Sequence, residues 1–278
     1  RFSDDVHRLF GLLDLEAPAW KPERVNESKP RQLDALDPLT SRLAEQFYAE
    51  DFRRFGYELS PLSSPQLIQY WDHPDPPPVL LERMEQWRLS HPGWSYFRHN
   101  RTSAAAFISE HYGSAMREAF LDIRLPAMQA DVFRIAVLYA KGGVWIDAAT
   151  ICLKPLDGWL NRRQPLLLLR RRHQHYPHIC NGFMACSDPN HPFLCEAWKR
   201  IMSSLLARRG QNVYRDFGPG VLRNLLANGD AAQQAGLEVV MESDLHDHFV
   251  IGSSTEVLEP DKHWSQLQLS ESLYWSGG

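Results

Sequence analysis

The chain has 278 residues, of which 44% are hydrophobic and 23% charged, and its formal net charge is −4. These values are typical of a globular protein that can bury a large core, and the net charge argues against a broad nucleic-acid-binding surface. No apolar run in the sequence approaches the length of a membrane span. The four cysteines form no CxxC pair, which indicates reduced thiols and a cytoplasmic protein, with peripheral membrane association left open.

The first part of the chain differs from the rest in its pattern. Residues 1–35 are mixed in character, and apolar residues then recur at helical spacing over residues 37–55. This spacing predicts an amphipathic helix that packs on the remainder of the protein. We therefore divide the chain into an N-terminal helical extension, residues 1–60, and a larger domain, residues 61–278.

From residue 65 onward, strand-like and helix-like patterns alternate. This alternation predicts an α/β fold with a mostly parallel central sheet. Strands are predicted at residues 66–71, 94–98, 143–153, 165–170, 179–186 and 237–241. Helices are predicted at residues 76–91, 102–112, 126–141, 191–208 and 219–228.

Residues 130–156 are the most informative part of the larger domain. They predict a buried helix that ends at Gly142 and Gly143 and is followed by an apolar strand with Asp147 near its middle. An ionised carboxylate inside such a strand is unfavourable by several kcal/mol unless a partner compensates it. Ligands also bind at strand ends in open α/β sheets. Asp147 is therefore a candidate site residue.

This segment resembles the sugar-transferase family that includes capsular-polysaccharide synthesis proteins, yeast-type initiating mannosyltransferases and the glucosylating domains of clostridial toxins. Family members carry a pattern close to Ser-Asp-x-x-Arg, Leu-Tyr, Gly-Gly-(Ile/Val)-(Tyr/Trp)-(Leu/Ile)-Asp-x-Asp and Lys-Pro-Leu. The matching residues here are Asp131, Arg134, Leu138, Tyr139, Gly142, Gly143, Val144, Trp145, Ile146, Asp147, Lys154, Pro155 and Leu156. Shorter matches at residues 65–71, 181–184, 217–220 and 263–264 extend the resemblance over about residues 65–275.

The sequence departs from the family pattern at two positions. Ala130 stands in place of the usual Ser, and Ala149 stands in place of the second Asp of the metal-binding pair. The capsular branch has an Asp-Ala-Thr variant that is close to the sequence of residues 147–150. Three interpretations therefore stay open: an active transferase, an inactive or regulatory homologue that lost metal binding, and a carbohydrate-binding module, which the nine tryptophans alone would allow.

The resemblance implies a GT-A fold and a retaining glycosyltransferase. Such an enzyme moves a sugar from a nucleotide-sugar donor to a glycan or other hydroxyl acceptor, here in capsule or surface-polysaccharide synthesis. The resemblance also implies that Asp131 and Arg134 reach the donor sugar, although two residues three apart on a helix also fit a simple ion pair. Asp147 would contact the nucleotide ribose or the metal shell, with a loop-capping carboxylate as the alternative.

A nucleotide site is implied by the same resemblance. Trp71 would stack on or flank the base at the end of the first strand, with Tyr70 and Trp145 beside the nucleotide. A Trp after an apolar strand otherwise belongs more often to the core.

The resemblance further implies a metal site near the diphosphate. His263 and Trp264 would clamp the diphosphate, and Asp147 and His263 would ligate a divalent ion, Mn²⁺ or Mg²⁺. Asn181 is expected either near the acceptor or as a turn residue. The basic run at residues 170–172 is expected to lie at a solvated edge.

Overall fold

The computed structural model of the protein describes residues 65–160, 165–172, 178–230, 234–252 and 271–275. The predicted N-terminal extension lies outside these residues, so the boundary at residue 60 stays a prediction. His263 and Trp264 also lie outside them. None of the helices in the described ranges is long and apolar enough to cross a membrane.

Strands and helices alternate along the chain as predicted. The strands are β1 (Gln66–Tyr70), β2 (Ser95–His99), β3 (Gly143–Ile146), β4 (Ile151–Cys152), β5 (Leu166–Arg171), β6 (His178–Cys186), β7 (Leu237–Met241) and β8 (Phe249–Val250). The helices are α1 (Pro78–Ser90), α2 (Arg101–Tyr112), α3 (Ser114–Leu121), α4 (Pro126–Lys141), α5 (Asp157–Leu160), α6 (Pro192–Leu206), α7 (Val213–Asp216) and α8 (Pro219–Asn228). A 3₁₀ turn, Glu242–Leu245, follows β7. The helices α3, α5 and α7 were not predicted.

The central sheet has six strands in the order β2-β1-β3-β6-β5-β7. Strand β6 runs antiparallel to both of its neighbours, while β1 pairs in parallel with β2 and β3, and β5 pairs in parallel with β7. The short strands β4 and β8 form a separate antiparallel pair. The predicted α/β class and the mostly parallel central sheet are confirmed.

Alternate side chains of the sheet enter two hydrophobic clusters, as the two-residue period of a strand requires. The larger cluster joins one face to α2, α3, α4, α6 and α8, and includes Ile68, Trp145, Leu168 and Met184. The smaller cluster covers the opposite face, where Trp87 of α1 packs near Phe183 and Phe249. Helix α4 is the most deeply buried of the described helices in the larger cluster, since ten of its 16 residues are buried.

The two ends of α4 are marked in the sequence. Pro126 occupies the first turn, where its missing N–H is not needed. Gly142 ends the helix with a φ of 67°, and a Cβ at this position would lie 2.7 Å from the Cys186 carbonyl oxygen. Glycine is therefore required there both by conformation and by space.

The prediction of one continuous strand over residues 143–153 is wrong in the middle of this range. Strand β3 ends at Ile146, and a turn closed by the Thr150 N–H on the Asp147 carbonyl, at 2.9 Å, precedes β4. Arg83 donates to the Ala149 carbonyl, and the Trp87 indole donates to the Thr150 carbonyl, which satisfies the buried backbone of the turn. Asp147 therefore lies directly after the strand, where its side chain is 37% exposed and avoids full burial.

Candidate functional site

Charged and aromatic residues collect at one edge of the central sheet. Because β1, β3, β5 and β7 run in the same direction, their carboxyl ends meet at this edge, the usual place for ligands in open α/β sheets. Trp71 follows β1, Asp147 follows β3, Arg171 ends β5 and Glu242 follows β7. The fold thus brings two predicted site residues, Trp71 and Asp147, to the same edge.

Arg134 on α4 connects two carboxylates. Its Nη2 donates to Asp147 Oδ1 at 2.8 Å, and its Nη1 lies 3.2 Å from Asp131 Oδ1 and donates to the Asn181 carbonyl at 2.7 Å. The Arg134 side chain is only 4% exposed, whereas the side chains of Asp131 and Asp147 are 12% and 37% exposed. The Asp131–Arg134 pair is therefore part of a buried network that includes Asp147, and more than an isolated ion pair on a helix surface.

Two neighbouring residues complete this network. The Asn181 amide donates to Asp131 Oδ1 at 2.8 Å, and the Trp145 indole N–H donates to Asp147 Oδ1 at 2.9 Å. The Arg134 guanidinium also lies over the Trp145 ring, 5.0 Å from its centroid. In each carboxylate, the contacts with Arg134 and with the neighbouring donor are therefore made by the same oxygen, Oδ1.

The second oxygen of each carboxylate is open. No described residue donates a hydrogen bond to Asp131 Oδ2 or to Asp147 Oδ2. Gly218 lies beside the first of these oxygens and Gly182 beside the second. A carboxylate oxygen has room for at least one further donor, so each can accept a hydrogen bond from a ligand.

Burial dominates the electrostatics of Asp131. It raises the pKa of this carboxyl to about 6, and the nearby charge of Asp147 acts in the same direction. The positive charge of Arg134 and the hydrogen bond from Asn181 oppose the increase in pKa. Asp131 is therefore mostly ionised at neutral pH but titrates close to it.

A second charge pair lies further along the same edge. Arg171 donates from Nε and Nη2 to the two carboxylate oxygens of Glu242, both at 2.6 Å. This hydrogen bonding raises the pKa of Arg171, and the charge of Asp147 adds a smaller contribution in the same direction. The sequence analysis predicted that the basic run containing Arg171 lies at a solvated edge, without a role in the site. The position of Arg171 at the carboxyl end of a predicted strand could have indicated that it lies near the site.

Of the residues predicted to contact the nucleotide, some are buried in the core and others are partly exposed. Tyr70 is buried and its hydroxyl donates to Gln129 Oε1 at 2.7 Å, and Trp145 is buried beneath Asp147. Trp71 alone of these three is partly exposed at the edge. Contact between Trp71 and a nucleotide stays a prediction, and His263 and Trp264 lie outside the described residues.

Of the two residues predicted to ligate a metal, Asp147 and His263, only Asp147 lies among the described residues. Asp147 Oδ2 is a partly exposed, open carboxylate oxygen, which suits Mn²⁺ or Mg²⁺. Ala149 is buried and offers no side-chain ligand. In the part of the chain that the structure describes, no group of three or more His, Cys, Asp or Glu side chains could hold a metal. Further ligands would have to come from a bound substrate or from outside the described residues.

Comparison with known proteins points to one family. Residues 77–165 match the family model described as a glycosyltransferase sugar-binding region containing a DXD motif. The chain is 26% identical over 197 residues to an initiation-specific α-1,6-mannosyltransferase of Schizosaccharomyces pombe, covering 60% of this chain and 48% of the relative. It is 25% identical over 273 residues to the protein of the same name from Candida albicans, covering 89% of this chain and 68% of the relative. The chain thus spans about half the length of the S. pombe relative.

Solved structures of transferases are also similar to this chain. A structure titled PaToxG glycosyltransferase has a TM-score of 0.40 and 12% identity, and the match covers 84% of this chain and 99% of that one. Another, titled as a transferase, has a TM-score of 0.38 and 12% identity, covering 70% of this chain and 94% of that one. The family match includes α4, β3 and Asp147, with Ala149 as its departure from the motif. Residues 77–165 of the chain are therefore similar to the sugar-binding region of glycosyltransferases that contains a DXD motif.

Proposed function

We propose that this protein is a glycosyltransferase that moves a sugar from a nucleotide-sugar donor to a hydroxyl group of a glycan or other acceptor. The observation that carries the proposal is the buried Asp131–Arg134–Asp147 network at the carboxyl edge of the sheet. This network lies within the segment that matches the sugar-binding region. The network presents two open carboxylate oxygens, one on the nearly buried side chain of Asp131 and one on the more exposed side chain of Asp147.

Each carboxylate suits a different part of a nucleotide sugar. Asp131 Oδ2 is nearly enclosed, so it suits a neutral hydroxyl of the sugar, whose burial is less unfavourable than that of a charged group. Asp147 Oδ2 is more exposed and suits the ribose or a hydrated metal ion beside the diphosphate. Arg134 balances part of the charge of both carboxylates and holds them in place. The protein would then act mainly by positioning the donor and stabilising the charge that develops on the leaving diphosphate.

The charges at the edge support a role for a divalent cation. Asp131, Asp147 and Glu242 carry three negative charges when ionised, and Arg134 and Arg171 carry two positive charges. The sum over these five residues is −1, so they supply no excess positive charge to bind a diphosphate. Mn²⁺ or Mg²⁺ at Asp147 Oδ2 would neutralise phosphate charge when bound. The single open carboxylate predicts weak binding of the metal alone and tighter binding together with nucleotide.

The donor is proposed to carry a hexose. Both curated relatives are named mannosyltransferases, so GDP-mannose, a nucleotide-activated mannose, is the first donor to test. Retention of the anomeric configuration and a role in capsule or surface-polysaccharide synthesis come from the family resemblance and belong to this proposal. The anomer formed in the transfer product, identified by proton NMR, tests the stereochemistry.

Ala149 favours one alternative, an inactive homologue that no longer binds metal and therefore binds nucleotide weakly. A transfer assay separates it from an active enzyme. The wild type is expected to release GDP from GDP-mannose in the presence of Mn²⁺ and a mannoside acceptor. Asp147→Ala is expected to lower this rate at least about 100-fold, because the charge-positioning carboxylate is lost.

Glu110→Ala provides the matched control, since Glu110 is a carboxylate on α2 whose side chain is 73% exposed. Its rate is expected to equal that of the wild type. An absence of transfer and of nucleotide binding in the wild type would favour the inactive homologue. A rate that Asp147→Ala leaves unchanged would show that the active site lies elsewhere.

A further inference from the structure

Two glycines lie against the open oxygens of the site. A Cβ built on Gly218 would lie 2.6 Å from Asp131 Oδ2, and a Cβ built on Gly182 would lie 2.9 Å from Asp147 Oδ2. Both distances are too short for a real side chain. Any other residue at either position would therefore press on the carboxylate oxygen that the network leaves open.

Neither glycine has a positive φ. Gly218 has a φ of −102°, and Gly182 lies within strand β6 and is not among the glycines with positive φ. Gly142 and Gly143, in contrast, do have positive φ values. The feature that Gly182 and Gly218 share is the close approach of their backbone to an open carboxylate oxygen.

The remaining contacts of the two positions are looser. After the Asp131 carboxyl, the nearest atom to a Cβ on Gly218 is the Val213 carbonyl oxygen at 3.2 Å. On Gly182, the nearest atom outside Asp147 is Ile251 Cγ2 at 3.6 Å, an ordinary van der Waals distance. The carboxylate oxygens are therefore the groups that a side chain at either position would affect first.

We propose that Gly218 and Gly182 are specificity-determining residues that divide the donor between the two carboxylates. Gly218 keeps Asp131 Oδ2 free to accept one hydroxyl of the donor sugar. Gly182 keeps Asp147 Oδ2 free for the nucleotide part of the donor, through the ribose or a metal-bound diphosphate. This inference rests on the proposed function, and it assigns to each glycine a separate and measurable effect.

The test compares binding of GDP, GDP-mannose and singly deoxygenated GDP-mannose analogues by calorimetry in the presence of Mn²⁺. In the wild type, removal of the hydroxyl that binds Asp131 is expected to weaken binding about 10- to 100-fold, as for a hydrogen bond to a charged group. Gly218→Ala is expected to bind GDP normally and GDP-mannose about 10- to 100-fold more weakly. It should no longer distinguish that one analogue from GDP-mannose. Gly182→Ala is expected to weaken GDP itself and to keep the discrimination between the sugars.

Two further variants test whether misfolding explains the binding changes expected for Gly218→Ala and Gly182→Ala. Gly93→Ala is the matched control, because its Cβ would meet no atom within 4 Å, and it should behave as the wild type. Asp131→Asn adds no atom beside Gly218. Because Asn181 donates to Oδ1, the new amide nitrogen is expected to take the place of Oδ2 and convert the open acceptor into a donor. It should therefore lose discrimination in the same way as Gly218→Ala.

The two proposals fail in different ways. If the wild type binds neither GDP nor GDP-mannose, nor UDP and UDP-glucose in a parallel series, the proposed function is wrong. If the wild type binds a donor and Gly218→Ala and Asp131→Asn keep its discrimination against every analogue, the role of Gly218 is wrong although the function stands. Equal loss of GDP and GDP-mannose binding in Gly218→Ala also overturns the inference, because the effect would not then be confined to the sugar.

Discussion

Asp131 and Asp147 bind the same arginine from two regions of the protein that differ in burial. Asp131 lies on α4, a helix enclosed by the larger hydrophobic cluster, and its side chain is 12% exposed. Asp147 lies on the turn after β3, and its side chain is 37% exposed. The buried region is fixed by packing and suits a neutral part of the donor. The turn retains access to water and suits the charged part.

Arg134 is where the two regions meet. It contributes one guanidinium nitrogen to each carboxylate, and its own side chain is almost fully buried. A change at Arg134 should therefore disturb both regions, whereas changes at the turn should leave α4 intact.

Arg134→Ala is expected to have the largest effect. Asp131 would keep only the Asn181 amide, and Asp147 only the Trp145 indole, as hydrogen-bond donors among the described residues. Removal of one partner from a buried ion pair typically lowers the free energy of unfolding by about 3 to 5 kcal/mol. Urea unfolding measures this change. Arg88→Ala is the control, since Arg88 pairs with Glu85 at an exposed site and should contribute less than about 1 kcal/mol. Equal effects of the two variants would contradict the buried network.

Trp71→Ala tests the exposed side of the edge. If the base stacks on Trp71, the loss of the ring should weaken GDP binding by about 1 to 3 kcal/mol, the range found for base–aromatic stacking. Calorimetry with GDP measures the change. Trp275→Ala is a suitable control, because Trp275 is 59% exposed and its ring lies against the Arg124 guanidinium. Unchanged GDP affinity in a folded Trp71→Ala protein would assign Trp71 to packing alone.

The raised pKa of Asp131 predicts two opposite effects of pH. Turnover should fall by about tenfold for each pH unit below about 6, because the protonated carboxyl accepts the sugar hydroxyl less well. Stability should change in the other direction, because a carboxyl whose pKa is raised by folding binds its proton more tightly in the folded state. The stability of the wild type relative to Asp131→Asn should therefore decrease as pH rises from about 4 to about 6, and be constant above that range.

Both parts of this prediction are measured as differences between the wild type and Asp131→Asn. The variant should be slower throughout and should lack the decline in rate below pH 6 that the wild type shows. Urea unfolding across the same pH range gives the difference in stability. Parallel pH profiles for the two proteins, in both rate and stability, would show that Asp131 does not titrate in this range.

Ala149→Asp is expected to have the smallest effect and to act only on the turn. A carboxylate at this position would add a ligand for Mn²⁺ and increase its affinity, by up to about tenfold. The gain is limited because Ala149 is buried, and the new side chain must be partly desolvated. Ala148→Asp is a matched control at an equally buried neighbouring position, the variable middle residue of the motif. If both variants bind Mn²⁺ as the wild type does, the turn does not face the metal.

Most of the fold could be predicted because local signals mark the element boundaries. Helix α4 begins at Pro126 and ends before Gly142, and α8 begins at Pro219 directly after Gly218, both as predicted. The turn at residues 147–150 was missed because Asp147, a residue type common at the first position of a turn, was interpreted as a site residue inside a continuous strand. Two alanines in this position carry no local indication that the strand has ended.

The candidate site was predictable in its residues and not in its contacts. The motif indicated Asp131, Arg134 and Asp147, but the hydrogen bond from Asn181 to Asp131 joins residues 50 positions apart. The pairing of Arg171 with Glu242 joins residues 71 positions apart. The burial of Tyr70 and Trp145 likewise depends on which face of the sheet each side chain occupies. These features follow from tertiary packing, which no local pattern specifies.

We propose that this edge of the sheet binds a nucleotide through Asp147 with the help of a divalent metal. Calorimetric titration of GDP, UDP and CDP into the wild type and Asp147→Ala, with and without Mn²⁺, tests it most directly. We predict that the wild type binds at least one of these nucleotides, more tightly with Mn²⁺, that Mn²⁺ alone binds weakly, and that Asp147→Ala loses the gain from Mn²⁺. Absence of nucleotide binding, or tight Mn²⁺ binding by the nucleotide-free wild type, would contradict the claim.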